Sequence, residues 1–255
     1  MSSPEKLVLE AERAVNAASE RNVILRVFGG VAIRSHCPSA SNPPLLRKIA
    51  DVDFFGVSKQ SGEIQKVFKE LNYIPAVRFN ALRGRSRLLF YEPKTNKSRD
   101  IFLDTFDMCH RIDLRKRLTL EPFTIPLTDL FLTKLQIIEL NERDYKDLIS
   151  LLLDHEVGKA ETEEMINGAY IATLCAKDWG MWKTFTRNLE WTTSYVEKSQ
   201  LTPPNQKRVK MRIDKLQEII DTKPKSVSWK LRSAIGERML WYNPVEEVAK
   251  TIKFE

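Results

Sequence analysis

Cysteine and histidine are both scarce in this sequence, which has three of each in 255 residues. An odd number of cysteines at scattered positions, Cys37, Cys109 and Cys175, argues against a disulfide framework and favours a reducing compartment. The adjacent pairs His36-Cys37 and Cys109-His110 lack the gap of roughly two to four residues that separates paired zinc ligands. We therefore expect neither a secreted, disulfide-bonded domain nor a structural zinc site.

Long apolar runs are missing as well. No stretch approaches the roughly 18 consecutive apolar residues of a membrane-spanning helix. Residues 1–6 lack the basic region followed by an apolar core that marks a secretory leader. The sequence therefore predicts a cytoplasmic protein without a membrane partner.

What the sequence does contain is enough apolar residues for a core and a surplus of basic charge. Hydrophobic residues make up 42% of the chain, and 41 basic residues face 34 acidic ones, which favours an anionic partner. Residues 78–99 have seven basic residues against one acidic residue, and residues 203–232 have nine against three. Each segment predicts either a groove that binds nucleic acid through its phosphates or a set of solvated helix faces.

The first part of the chain alternates strand and helix patterns. Residues 23–28 are β-branched and mostly apolar and run directly into Gly29-Gly30, which predicts a buried strand followed by a tight turn into a helix. Further along, residues 88–91 and 101–106 flank a polar turn and predict a hairpin. Strands with helices between them favour a mixed sheet against which the helices pack.

After about residue 115 the strand patterns stop. From Thr128 onward, apolar residues recur every three or four positions, which is typical of helices. The sequence therefore predicts an α+β fold, with a mixed sheet and flanking helices in residues 1–120. A mostly helical C-terminal domain, residues 121–255, is expected to contribute to the substrate cleft.

Three features of the first part point to one site that binds metal and phosphate. Backbone N–H groups of Gly29 and Gly30, at the start of a helix, can face phosphate oxygens. Asp51 and Asp53 alternate with apolar residues, so both lie on one strand face and offer the hard oxygen ligands that suit Mg²⁺ or Mn²⁺. Asp104, inside an apolar strand, can ligate a second ion and accept the proton of an attacking hydroxyl.

Two other carboxylates compete with Asp104 for the third position. Asp100 begins the same predicted strand beside Arg99, where we expect it to be exposed. Asp107 lies past the apolar end of that strand. We therefore favour Asp104.

These residues resemble the nucleotidyltransferase superfamily named for DNA polymerase beta. Residues 28–32, 51–54 and 102–104 match its pattern of a glycine turn, an acidic-apolar-acidic triplet and a later carboxylate. The resemblance implies a nucleotidyltransferase-like fold and an enzyme that moves a nucleoside monophosphate from a nucleoside triphosphate to an acceptor hydroxyl, releasing pyrophosphate. It also implies the catalytic residues, which would be the ligands of Mg²⁺ or Mn²⁺: Asp51, Asp53 and Asp104.

A second stretch is similar to the nucleotidyltransferase-like toxins of type IV abortive-infection systems. Residues 130–136 and 142–148 match the lysine helix and the Arg/Lys-Asp segment of that branch. The resemblance implies that Lys134 contacts the triphosphate and that Asp147 helps to hold or orient the site, beside the glycine turn. It makes RNA, such as transfer RNA, a candidate acceptor and a cognate antitoxin a candidate partner.

Two further functions stay open. A degenerate relative would bind nucleotide or RNA without turnover, and a component of a toxin–antitoxin pair would act through a protein interface. The acceptor is open as well, because the motifs describe only the nucleotide and the metals. RNA, a protein hydroxyl and a small molecule all fit the same donor chemistry.

Overall fold

The computed structural model describes residues 4–245, which form an α+β fold. Its helices are α1 (Pro4–Ser19), α2 (Gly29–His36), α3 (Ser61–Glu70), α4 (Val77–Arg83), α5 (Leu127–Leu135), α6 (Glu142–Asp154), α7 (Gly168–Lys177), α8 (Trp179–Lys198), α9 (Pro203–Thr222) and α10 (Val227–Ile235). Its strands are β1 (Leu25–Phe28), β2 (Val52–Gly56), β3 (Ile74–Pro75), β4 (Arg87–Tyr91), β5 (Ser98–Leu103), β6 (Thr105–Asp107), β7 (Arg111–Asp113), β8 (Glu156–Gly158) and β9 (Met165–Asn167).

Five strands form one mixed sheet in the order β1-β2-β5-β4-β3. β2 runs parallel to β5, whereas β1 is antiparallel to β2 and β4 is antiparallel to both β5 and β3. The predicted hairpin is formed by β4 and β5, but its second strand ends at Leu103. Asp104 has a left-handed backbone, with φ +65°, which interrupts the extended chain. The next strand, β6, pairs with β7 in a separate sheet.

The period of two along each strand separates the side chains of the large sheet onto two faces. On one face Phe54 packs edge-to-face on Phe68 of α3, and Arg99 makes a bidentate ion pair with Glu10 of α1. The other face has an aromatic cluster, with ring centroids 4.6–5.9 Å apart, of Phe28, Phe55, Phe102 and Phe106. Asp53 lies on this second face, so the aromatic cluster packs beside it.

The residues after 120 share a hydrophobic core with the sheet. Val27 N–H donates to the Phe123 carbonyl at 2.9 Å, and Ile125 N–H donates to the Val27 carbonyl at 3.0 Å. Buried side chains from before and after residue 120 form one continuous cluster. α5 packs against α2 and α6, so the helix that carries Lys134 lies beside the helix that begins at Gly29.

The structure confirms the predicted fold class, a mixed sheet with flanking helices followed by a helical region. In that region α7, α8 and α9 pack on one another, and α9 also packs on α6. Within residues 4–245 no helix has both the length and the apolar character that a bilayer crossing requires. The division into domains at residue 120 stays a prediction.

Candidate active site

A cleft of about 270 Å³ opens where β1 turns into α2, between the sheet and α5. Predicted site residues from three separate segments line it: Gly29, Gly30, Asp51, Asp53 and Lys134. A larger cavity, about 480 Å³, lies among Trp179, Trp229 and Trp241 and includes none of the predicted site residues. The smaller cleft is therefore the candidate active site.

Gly29 fits its position for two reasons. Its backbone is left-handed, with φ +72°, a conformation that costs residues with a Cβ roughly 1–2 kcal/mol. A Cβ at Gly29 would also lie 3.2 Å from Asp53 Oδ2. The glycine thus lets the start of α2 lie close to the Asp53 carboxylate, so that both border the same cleft.

Gly30 makes room for a residue that the sequence patterns do not reveal. A Cβ here would lie 2.6 Å from Arg47 Nη2, because the Arg47 guanidinium covers the turn. Arg47 is held in place by a bidentate pair with Asp147, with Nε–Oδ1 at 2.6 Å and Nη2–Oδ2 at 2.7 Å. The glycine turn therefore has a fixed cation beside it.

Lys134 is the second cation of the cleft. Its Nζ lies 2.9 Å from Asp147 Oδ2 and 3.1 Å from Asp144 Oδ1. Burial alone would lower the pKa of Lys134, but Asp147 and Asp144 outweigh it and raise that pKa, so the lysine stays charged. Burial would raise the pKa of Asp147, but Lys134 and Arg47 hold it below its ordinary value. Asp147 is thus a buried anion that positions two cations.

Asp51 and Asp53 both line the cleft, at the start of β2. Burial, then the neighbouring charges of Asp100 and Asp51, raises the pKa of Asp53 to about 7, against the opposing effect of Lys134 and Arg87. The carboxylates of the site therefore lie beside the positively polarised backbone turn and two cations, Lys134 and Arg47. Such an arrangement suits a divalent cation that is shared between carboxylates and phosphate.

The structure does not bring Asp104 to this pair, which corrects the prediction that it is the third member. The register of β2 and β5 pairs Asp53 with Asp100 and Gly56 with Leu103, so Asp104 follows the opposite end of the strands, roughly 13 Å beyond Asp53 at about 3.3 Å per residue. Its carboxylate instead accepts hydrogen bonds from Ser58, from N–H at 2.9 Å and from Oγ at 2.5 Å. Asp104 caps the turn after β2.

Asp100 has the position that was expected of Asp104. It pairs in register with Asp53 on the adjacent parallel strand, so both side chains lie on the same face. It is half-buried, and its Oδ1 accepts from Arg87 Nε at 2.7 Å, while the Arg87 guanidinium lies 4.6 Å from the centre of the Phe102 ring. The other competitor, Asp107, is exposed on β6.

Among residues 4–245, no three histidine, cysteine, aspartate or glutamate side chains converge as a ready ligand set. This arrangement is compatible with magnesium, which usually binds to one or two carboxylates and takes its other ligands from water and substrate phosphates. Asp51 and Asp53 supply that number of carboxylates from one edge of the cleft. Asp100 is the next carboxylate along the sheet.

Comparisons with known proteins add little to this geometry. The sequence matches no family model, and the comparison with curated proteins found no match. A solution structure of the antibiotic-resistance factor ANT(2″)-Ia, an aminoglycoside nucleotidyltransferase, is similar over 58% of this chain and 84% of that chain. The sequence identity is 13% and the TM-score is 0.38, a likeness that decides neither family nor substrate.

Proposed function

We propose that this protein is a metal-dependent nucleotidyltransferase that transfers a nucleoside monophosphate from a nucleoside triphosphate to an acceptor hydroxyl. One observation supports this most strongly: a glycine turn at a helix start, a pair of carboxylates and a buried lysine line the same cleft. The toxin resemblance, with its cognate antitoxin, stays a prediction.

The triphosphate would bind at the start of α2. There the N–H groups around Gly29 and Gly30 can donate to phosphate oxygens, and the helix dipole favours negative charge. Lys134 and Arg47 stand beside this turn in fixed positions because Asp147 binds both. They would offset the charge that develops on the departing pyrophosphate, without reorganising during the reaction.

Asp51 and Asp53 would hold Mg²⁺ or Mn²⁺, with Asp100 next to them. The bound ion would polarise the phosphate and lower the pKa of the acceptor hydroxyl. Asp100 would accept the hydroxyl proton, since it adjoins Asp53 on the side away from the glycine turn. The acceptor oxygen would then form a bond to the α-phosphorus while the bond to the bridging oxygen of pyrophosphate breaks.

The proposal is tested by incubating the protein with each α-³²P-labelled nucleoside triphosphate, Mg²⁺ or Mn²⁺, and total cellular RNA and protein. We expect label on an acceptor and release of pyrophosphate, both lowered at least about 10³-fold in Asp53→Asn because a metal ligand is lost. Asp107→Asn, which removes an exposed carboxylate on β6, serves as the matched control. Equal labelling by wild type and Asp53→Asn would refute the proposal.

Magnesium binding by the free protein should depend on pH. Because the pKa of Asp53 is raised to about 7, an ion that binds below that pH must displace a proton, so affinity rises with pH up to about 7 and then levels off. Calorimetry in two buffers of different ionisation enthalpy should show about one proton released at pH 6 and almost none at pH 8.5. Asp53→Asn has no such proton to release, and the same proton count in this variant would contradict the assignment.

A further inference from the structure

Three exposed arginines form a surface on α4 and the turn after it, beside β4. Arg78 and Arg83 belong to α4, and Arg85 lies in the turn that leads to β4; we call these three residues the arginine surface. No acidic residue occurs from position 77 to position 91. In the part of the chain that the structure describes, none of the three guanidinium groups has an ion-pair or hydrogen-bond partner.

α4 connects this surface to β4, the neighbour of the strand that carries Asp100. Asn80 of α4 binds both backbone groups of Leu89, with Nδ2 to the carbonyl at 3.0 Å and N–H to Oδ1 at 2.7 Å. Leu89 is the register partner of Asp100. Arg87, two positions after the last residue of the arginine surface, reaches Asp100 directly and lies 5.9 Å from the Phe79 ring centre. α4 is therefore fixed against the strand next to the third carboxylate.

Strand order separates the two sides of the site. The glycine turn follows β1 at one edge of the sheet, and α4 lies along β4 near the other, with β2 and β5 and their carboxylates between them. If the triphosphate occupies the glycine turn and Asp100 takes the proton, the acceptor hydroxyl lies on the β5 side of Asp53, toward β4 and α4. A chain that carries this hydroxyl past β4 can contact the arginine surface, whose Arg85 end lies near Leu103 because the Leu103 N–H donates to the Ser86 carbonyl at 2.9 Å.

The chemistry of the arginine surface fits a phosphodiester strand. Arginine binds phosphate oxygens through its planar fork of donors, and the segment that carries these three arginines has no acidic residue of its own. Two apolar side chains of α4 are also exposed, Leu82 by 85% and Val77 by 70%, and they offer contact area to unstacked bases. A single-stranded nucleic acid brings phosphates, bases and a terminal hydroxyl together.

The second basic segment, residues 203–232, begins with α9, which belongs to the helical region and not to the large sheet. α9 packs on α6, α7 and α8, and two of its cations already have structural partners. Arg212 donates to the Leu152 and Leu153 carbonyls, and Lys210 pairs with Glu197 at 2.7 Å. The exposed cations that remain on α9, among them Lys207, Arg208 and Lys215, provide a control surface of equal charge.

We infer that the arginine surface binds the phosphates of a single-stranded nucleic acid whose 3′-hydroxyl is the acceptor. The inference rests on the proposed function, since it assigns the acceptor of the same site. RNA and DNA share the phosphate chemistry, so the experiment uses both.

The test is fluorescence anisotropy of the full chain with a 5′-labelled 20-nucleotide single strand, as RNA and as DNA of the same sequence, without nucleotide or metal. We expect the triple variant Arg78→Ala/Arg83→Ala/Arg85→Ala to bind the strand at least about tenfold more weakly. The slope of log affinity against log salt concentration should fall by about 2, at about 0.7 per phosphate contact. Lys207→Ala/Arg208→Ala/Lys215→Ala should stay within about twofold of wild type. Equal losses in both variants, no loss in the first, or equally tight binding of polyglutamate would overturn the inference.

Measurements of nucleotide binding and of label transfer distinguish a failure of this inference from a failure of the proposed function. The arginine-surface variant should bind nucleoside triphosphate with unchanged affinity while it loses label transfer to the strand. Label on protein or on a small molecule, with none on the strand, would overturn the acceptor assignment and leave nucleotidyl transfer standing. Strand binding that depends on the arginine surface, with no nucleotide bound and no label on any acceptor, would instead refute the proposed function and the acceptor role with it.

Discussion

Asp100→Asn is expected to lower the rate of nucleotidyl transfer by about 10²- to 10⁴-fold, the usual effect of losing a group that accepts a proton in the transition state. Asparagine keeps the size of the side chain and can still accept a hydrogen bond from Arg87, so the sheet should be undisturbed. What is lost is the negative charge beside Asp53 and the ability to take up a proton. The measurement is single-turnover label transfer at saturating nucleotide.

Asp104→Asn is the control that distinguishes the two carboxylates of this strand. Asparagine tolerates the left-handed backbone of position 104 and can still accept the Ser58 N–H. We expect its transfer rate to stay within about threefold of wild type, as for most changes outside a reacting site. If Asp104→Asn were inactive and Asp100→Asn active, the original sequence interpretation would be right and the geometric one wrong.

The patterns that predicted the fold and part of the site are local ones. Asp51 and Asp53 alternate with apolar residues, and Gly29-Gly30 ends an apolar strand; both signals depend only on residues close together in the chain. Lys134 is a similar case, because it interrupts the apolar stripe of α5 and so marks a polar side of that helix. The structure brings all five of these residues to one cleft.

The third carboxylate could not be predicted in the same way, because strand register depends on where each strand begins and ends. Asp100 and Asp104 both lie near apolar residues, and the sequence does not show that a left-handed Asp104 ends the strand. A strict period of two would have helped, since Asp100 and Phe102 alternate with Arg99, Ile101 and Leu103. Arg99 is buried rather than exposed, so a partner on another element had to be considered.

Arg47 was missed for a related reason. It lies 100 residues from Asp147 in the chain, and no spacing rule connects a residue in a proline-rich loop with one on a distant helix. The pairing follows from tertiary packing, in which the carboxylate needs two cations to compensate its burial. The positions of Arg47 and Lys134 therefore depend on Asp147, which does not line the cleft.

Asp147→Ala should therefore have the largest effect on stability among the changes considered. The Asp147 side chain is 4% exposed and binds both Arg47 and Lys134, so its removal leaves two largely buried cations without their shared anion. Breaking a buried pair in this way costs about 3–5 kcal/mol of unfolding free energy. Urea unfolding at pH 7 measures the loss, and nucleotide titration of the folded variant should show weaker binding because Lys134 and Arg47 are no longer fixed.

The dependence on pH checks whether the charge of Asp147, rather than its packing, is responsible. Its folded pKa is depressed, so its contribution to stability is present above the unfolded pKa, about 3.9, and is lost as pH falls through the folded value. The difference in unfolding free energy between wild type and Asp147→Ala should therefore shrink as the solution is made acidic. Glu142→Ala on the same helix, which removes an exposed partner of Lys146, should unfold like wild type. A stability difference for Asp147→Ala that stayed constant into acid would mean that lost packing, not the anion between two cations, explains it.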